Sequence, residues 1–314
     1  RLAFEMTDGE SHKLNKNKIT VIVIDKFLEI AEENNNPLAK FGNEIRIYNG
    51  RFWEILDSNY LSSKLVEIAL KMGVQILEAK HHKFQNELLF QLYSRSYREF
   101  KEIDNSVLIN VKNGTLEITK GEINLREFNL ENGLIYQLNY DYNPKASNPI
   151  FQNNYLDKVL PKDSQLILGE AIANIFIKND FIKLEKVPML LGSGANGKSV
   201  VFEILNELLG EENISNYSLE TLLDRNGYGR ASISGKILNY ASEISGKINA
   251  NTFKQLASNE EIDARLPYGN PFIIKNYAKL MFNCNSLPET DESSNAFYRR
   301  LLIIPFDKTI PEKE

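Results

Sequence analysis

Residues 192–199 of the chain, Gly192, Ser193, Gly194, Ala195, Asn196, Gly197, Lys198 and Ser199, fill the spacing G-x-x-x-x-G-K-[ST]. Small residues at this density let consecutive backbone N–H groups curl around phosphate oxygens, and a helix that follows aims its positive end at the same anion. A lysine at the end of such a loop reaches the β and γ phosphates of a nucleoside triphosphate, and the next hydroxyl is placed to hold magnesium. Residues from Gly192 to Val200 are therefore the expected nucleotide cradle. Lys198 is expected to act on the phosphates from an exposed loop with few packing duties, and Ser199 to hold the metal. The bland alternative is a glycine-rich turn that happens to contain a lysine; the full pattern arises by chance in roughly one in a hundred chains of this length.

A phosphate loop does not separate a kinase from a motor, so the discriminating residues must lie downstream. Residues 237–243, ILNYASE, read as a buried strand ending in a polar pair, where nucleotide hydrolases keep the groups that hold magnesium and orient the attacking water. Glu243 is the candidate for polarising that water and, with Ser199, for holding the metal. Residues 279–285, KLMFNCN, spell a second such strand. Its final Asn285 can bond both the γ phosphate and the water, because one amide donates and accepts. Arg299 and Arg300 precede the apolar run LLIIPF; an arginine there serves as a phosphate-sensing finger or forms a surface ion pair, with Arg300 the first choice of the two. His81 and His82 have no cysteine or acidic partner at ligand spacing and read as solvated.

These residues need elements to position them. The apolar run 187–191 precedes the loop as a buried strand would, and Val201, Ile204, Leu205 and Leu208 recur behind it at helical spacing up to Gly210. Beyond that, the pattern alternates: a helix near 218–224, a strand over 236–241, a helix near 252–258, a hairpin around 265–275 and strands over 279–283 and 301–305. Such alternation predicts an α/β fold with a mostly parallel sheet flanked by helices. Upstream, residues 153–178 read as helical. The stretch 13–36 combines an apolar alternation at Ile19, Val21 and Val23 with a helix from Asp25 to Glu33. Helices follow over 61–72 and 75–93, the second with Leu77, Phe84, Leu88 and Leu92 on its inner face. Asn49-Gly50 and Asn113-Gly114 signal tight hairpin turns, the second opening a three-stranded meander over 107–128. A linker at Asp141-Tyr142-Asn143-Pro144 suggests a boundary between a smaller α+β domain, 1–145, and the nucleotide domain, 146–314.

The composition is that of an ordinary globular protein: 314 residues long, 42% hydrophobic and 25% charged, with enough chain for two domains. A net charge of −5 advertises no global attraction to nucleic acid, although a groove can be locally basic on an acidic particle. One cysteine, Cys284, rules out an internal disulfide and suits a reducing, cytoplasmic setting. Since no apolar run reaches membrane-span length, no membrane partner is expected. A start without Met suggests a fragment of something longer.

Taken together, the residues resemble superfamily 3 helicases, specifically the AAA+ module of phage and plasmid primase-helicases. GSGANGKS is similar to that family's Walker A motif, NYASE to Walker B, ARLPYGNPFIIKNYAKL to its DNA-contacting segment, LMFNCNSLP to its sensor motif and AFYRRLLIIPF to its arginine-finger region. INVKNGTLEI, YDYNP and IYNGRFWEI resemble the domain that precedes the helicase, so the likeness covers nearly the whole chain. It implies an AAA+ P-loop ATPase with a helical collar, using ATP and Mg2+, that works as a replicative DNA helicase of a phage, plasmid or integrated element. It further implies a homo-hexamer threading single-stranded DNA with 3′ to 5′ polarity, Arg300 serving the neighbouring subunit, and a primase tethered upstream. Grip on DNA would fall to Arg265, Tyr268 and Lys275. Two departures stand out: Ser242 occupies a place that is acidic in many relatives, and the hairpin tip lacks the lysine-histidine pair of related viral helicases. The rival readings are a P-loop phosphotransferase and a nucleotide-dependent DNA-loading module with low turnover; Asn285 and Glu243 argue against both.

Overall fold

The computed structural model describes residues 16–100, 106–177, 182–242, 249–288 and 295–310. Two compact units interleave along the chain: one takes residues up to 102 together with 127–136, the other takes 103–126 together with 137 onward. Among the described residues, no helix is long and apolar enough to cross a membrane.

The first unit packs helices Lys16–Glu33, Ser58–Lys71 and His82–Arg95 with an antiparallel sheet of β1 (Leu38–Phe41), β2 (Glu44–Tyr48) and β3 (Trp53–Ile55). The alternation at Ile19, Val21 and Val23 is not an extended lead-in: the helix absorbs it, burying Val23 and Ile24 while Val21 and Ile22 face outward. β-branched residues favour strands only weakly, and here the inner faces of the other two helices (Leu61, Leu65, Ala69; Phe84, Leu88, Leu92) supply a core that rewards the helical period. The expected second helix breaks at His81, whose Nδ1 accepts a hydrogen bond from Lys83 N–H at 3.3 Å and caps His82–Arg95. Leu77 lies before the break and is 84% exposed, not on the inner face. The hairpin turn falls one residue later than Asn49-Gly50 suggests. Tyr48 faces Trp53, Gly50 takes φ 90°, and Asn49 Oδ1 accepts from the N–H groups of Arg51 and Phe52. Asn49 thus caps the turn from outside.

The second unit opens with the expected meander, β4 (Val107–Val111), β5 (Gly114–Thr119) and β6 (Glu122–Arg126). Helical turns follow between Pro149 and Val159, then the helix Lys162–Ala173. Next come β7 (Val187–Leu191), helix Lys198–Leu209, β8 (Ile214–Ser215), helices Leu219–Leu223 and Tyr228–Ser232, β9 (Leu238–Ser242) and helix Ala250–Ala257. A hairpin of β10 (Ile262–Arg265) and β11 (Pro271–Ile274), then β12 (Lys279–Cys284) and β13 (Leu301–Pro305), complete it. Five strands form one sheet in the order β13-β7-β12-β9-β8, and every neighbouring pair is parallel. Its core draws Met189, Phe253, Phe282 and Phe297 into one cluster. Covered on both faces, the strands read as continuous apolar runs instead of alternations.

Candidate active site

Parallel strands deliver whatever follows them to one edge, the usual place for a ligand in an open α/β sheet. Register settles which residues meet there. Leu191 pairs with Cys284 and Asn283 with Ser242, while Gly192 N–H donates to Cys284 O at 3.1 Å. The phosphate loop, Asn285 and Ser242 therefore emerge side by side, with β12 and its Asn285 between the other two. Asn285 and Ser242 are both exposed. Glu243, the candidate for the water, lies outside the described residues.

Within the loop, Gly194, Ala195 and Gly197 take φ of 119°, 47° and 85°, and Gly197 opens the helix Lys198–Leu209. Left-handed backbone ahead of a helix N-terminus is the geometry of an anion-binding nest, so the residues fit a phosphate. Gly192 is required for a different reason: a Cβ there would stand 2.2 Å from Asn196 Nδ2 and 2.6 Å from Phe306 O. Ser193 and Ser199 are exposed, as is Val200 at 40%.

Lys198 corrects one expectation. It is 7% exposed, with Nζ donating to Gly192 O at 2.6 Å and to Asn196 Oδ1 at 2.8 Å. Burial lowers its ammonium below the ordinary lysine value, against the opposing influence of the Cys284 thiol. Burial pushes that thiol up to about 11, with Lys198 pulling the other way.

The loop is held from behind by residues that sequence reasoning missed. Asn196 Nδ2 donates to Phe306 O at 2.7 Å, Ile310 N–H to Ala195 O at 2.7 Å, and Tyr155 OH to Gly197 O at 2.7 Å. Those partners lie 110 residues away for Asn196 and 42 for Gly197, and no local pattern marks them.

The other predicted site residues lie elsewhere. Val187 N–H donates to Arg300 O at 2.8 Å and Val187 pairs with Leu301, which puts both arginines at the amino edge of the sheet. The five residues of β7 separate that edge from the phosphate loop, a span of about 16 Å at roughly 3.3 Å per residue. Arg300 is 8% exposed, and its guanidinium bonds Ala296 O at 2.7 Å and Ser258 Oγ at 3.1 Å. The Arg299 side chain is 52% exposed. Tyr268 stands fully exposed in the β10–β11 loop at φ 60°. The two cations flanking that loop are engaged: Arg265 Nε donates to Gly269 O at 2.8 Å, and Lys275 pairs with Glu261.

Comparison with known proteins gives three findings. Residues 190–300 match a family of unknown function, DUF5906. Over 262 residues the chain is 25% identical to a protein of Acanthamoeba polyphaga mimivirus named as a presumptive helicase, a match that covers 76% of this chain and 26% of that one. The chain thus spans about a quarter of the length of this curated relative. Among solved structures, it is similar to two apo forms of the NrS-1 C-terminal region. One has a TM-score of 0.55 at 16% identity, covering 95% of this chain and 64% of that chain. The other has a TM-score of 0.53 at 15% identity, covering 91% and 62%. At such identities the structural likeness shows the fold alone: an α/β unit built on a five-stranded parallel sheet, in a chain whose sequence is similar to that of a helicase-named viral protein.

Proposed function

We propose that this chain carries the ATP-hydrolysing motor of a DNA helicase, acting as a ring of identical subunits, a hexamer, on single-stranded DNA. One observation carries the reading: the sheet sends the phosphate loop, Asn285 and Ser242 to one edge, and the arginine pair to the other. An arginine about 16 Å from its own loop cannot serve its own nucleotide. It can serve a neighbour's, and serving a neighbour requires an assembly. The viral relative's name points to the same activity.

In this reading the nest from Gly192 to Ser199 holds the phosphates of ATP, and Lys198 exchanges two neutral acceptors for charged phosphate oxygens, a stronger bond. Ser199 and Glu243 would hold Mg2+, which when bound neutralises charge on the β and γ phosphates. Glu243 polarises the attacking water and Asn285 orients it. Arg299, the more open of the two arginines, approaches the neighbouring subunit's γ phosphate while Arg300 anchors the turn. Tyr268 offers a flat surface to a base of the threaded strand.

The test is the rate of ATP hydrolysis with and without single-stranded DNA, measured beside the mass of the assembly. The expected result is a multi-subunit particle whose turnover rises with DNA. A monomer whose turnover ignores DNA overturns the reading, and turnover that appears only with a phosphate acceptor supports a phosphotransferase instead.

A further inference from the structure

Both arginines at the amino edge end on one carboxylate. Glu185 Oε2 accepts from Arg299 Nη2 at 2.8 Å and lies 3.3 Å from Arg300 Nη2, while its Oε1 lies 3.4 Å from Lys183 Nζ. Three cations thus converge on a single anion. The holding is unequal: Arg300 is buried and also bonded to Ala296 and Ser258, whereas half of the Arg299 side chain stays in solvent. Glu185 itself adopts φ 51°, a left-handed backbone that costs a non-glycine residue free energy and persists where the surroundings demand it. Burial pushes its carboxyl group up, but the bonds from Arg299 and Lys183 and the charge of Arg300 outweigh this and hold it below its ordinary value.

We propose that Glu185 is a positioning residue that keeps Arg299 on its own subunit until a terminal phosphate, carried on the nucleotide of a second copy of this chain, takes the guanidinium from it. This rests on the trans-acting arginine proposed above. A guanidinium matches carboxylate and phosphate with the same planar fork, so Arg299 stays paired throughout the exchange and is never presented as a bare charge. Arg300, tied to the backbone at Ala296, keeps the turn in place while its neighbour moves. Glu185 thereby marks the amino edge of β7 and β13 as the face that receives the next subunit.

Glu185→Gln keeps the shape of the side chain and removes its charge. In the assembled chain with single-stranded DNA, turnover at saturating ATP should rise about two- to fivefold with KM unchanged, since exposed ion pairs are worth factors of that order. Labelling of Arg299 by phenylglyoxal, read by mass spectrometry without nucleotide, should accelerate by a similar factor, and labelling of Arg300 should not. Glu185→Gly suits the left-handed backbone, controls for local damage, and should show the same gains. Arg299→Ala separates the two ideas. If Arg299→Ala leaves turnover unchanged, the trans-acting arginine itself fails. If Arg299→Ala abolishes turnover while both Glu185 variants leave kcat and Arg299 labelling unchanged or lower them, the role of Glu185 alone is overturned.

Discussion

Lys198 joins two duties that the sequence separates. Its ammonium is the charge that the proposed chemistry needs at the phosphates, and it is also the buried donor that satisfies Gly192 O and Asn196 Oδ1. Lys198→Ala should therefore lower ATP turnover about 10²- to 10³-fold, the usual loss on removing one transition-state donor. It should also destabilise the fold by about 1–3 kcal/mol, because two acceptors in the loop interior lose their partner. Hydrolysis assays paired with chemical denaturation read both effects. A variant that keeps most of its turnover would show that the site is not where the loop is. A variant that loses turnover with no change in stability would show that the acceptors find other donors.

At the scale of elements, the β10–β11 hairpin combines a rigid base with an open tip. Ile262, Ala264 and Ile274 are buried beneath it. Arg230, 3% exposed, clamps its first strand through Asp263 O at 2.6 Å and the Asp263 carboxylate at 2.7 Å, while also bonding Leu222 O and Asp224 O. Three backbone carbonyls and one carboxylate held by a single buried guanidinium tie the base to the helices beside it. The tip carries Tyr268 into solvent. Because Arg265 and Lys275 are already paired within the unit, the ring of Tyr268 should carry most of the grip on a single strand. Tyr268→Ala combined with Lys275→Ala is expected to weaken single-strand binding by about 1–3 kcal/mol, with basal hydrolysis retained. In a salt series the slope should change by no more than about one phosphate contact. A larger change in slope would assign the grip to the cations, and unchanged binding would move the DNA path elsewhere.

For the whole molecule, the sheet itself makes the strongest demand. Parallel strands put loop and arginines at opposite edges, so a working site in this reading is completed by two chains. Protomers carrying Lys198→Ala should be inactive, as should protomers carrying Arg299→Ala. Mixed under conditions where subunits exchange, the two should recover part of the wild-type turnover, because some interfaces then pair an intact loop with an intact arginine. A finger of this kind is worth about 10³ to 10⁵ in turnover, so even a minority of restored interfaces is measurable. The same mixture made with Arg300→Ala tells which arginine acts. Failure of both mixtures to recover anything, with exchange demonstrated, would end the two-chain site.

The sequence by itself determined what neighbouring residues can settle among themselves. The phosphate loop is written in consecutive residues because its function rests on backbone conformations that small side chains permit locally. Four of the five strands of the sheet are legible because burial on both faces demands unbroken apolar runs, whereas the two-residue β8 is too short to show one, and the β5–β6 turn is legible because Lys120-Gly121 supplies the positive φ it needs. Tertiary structure decided the rest, wherever the deciding partner is distant. Leu77 is apolar at the right spacing, yet no core residue meets it after the break at His81. Lys198 is a loop lysine by pattern and a buried one in fact, because Asn196 is fastened to Phe306, 110 residues along the chain. Which arginine is buried follows from Ala296 and Ser258, and the carboxylate that both reach, Glu185, lies 114 residues from Arg299 along the chain. Charge and hydrogen-bonding capacity are properties of the residue; the identity of the partner that uses them is a property of the fold.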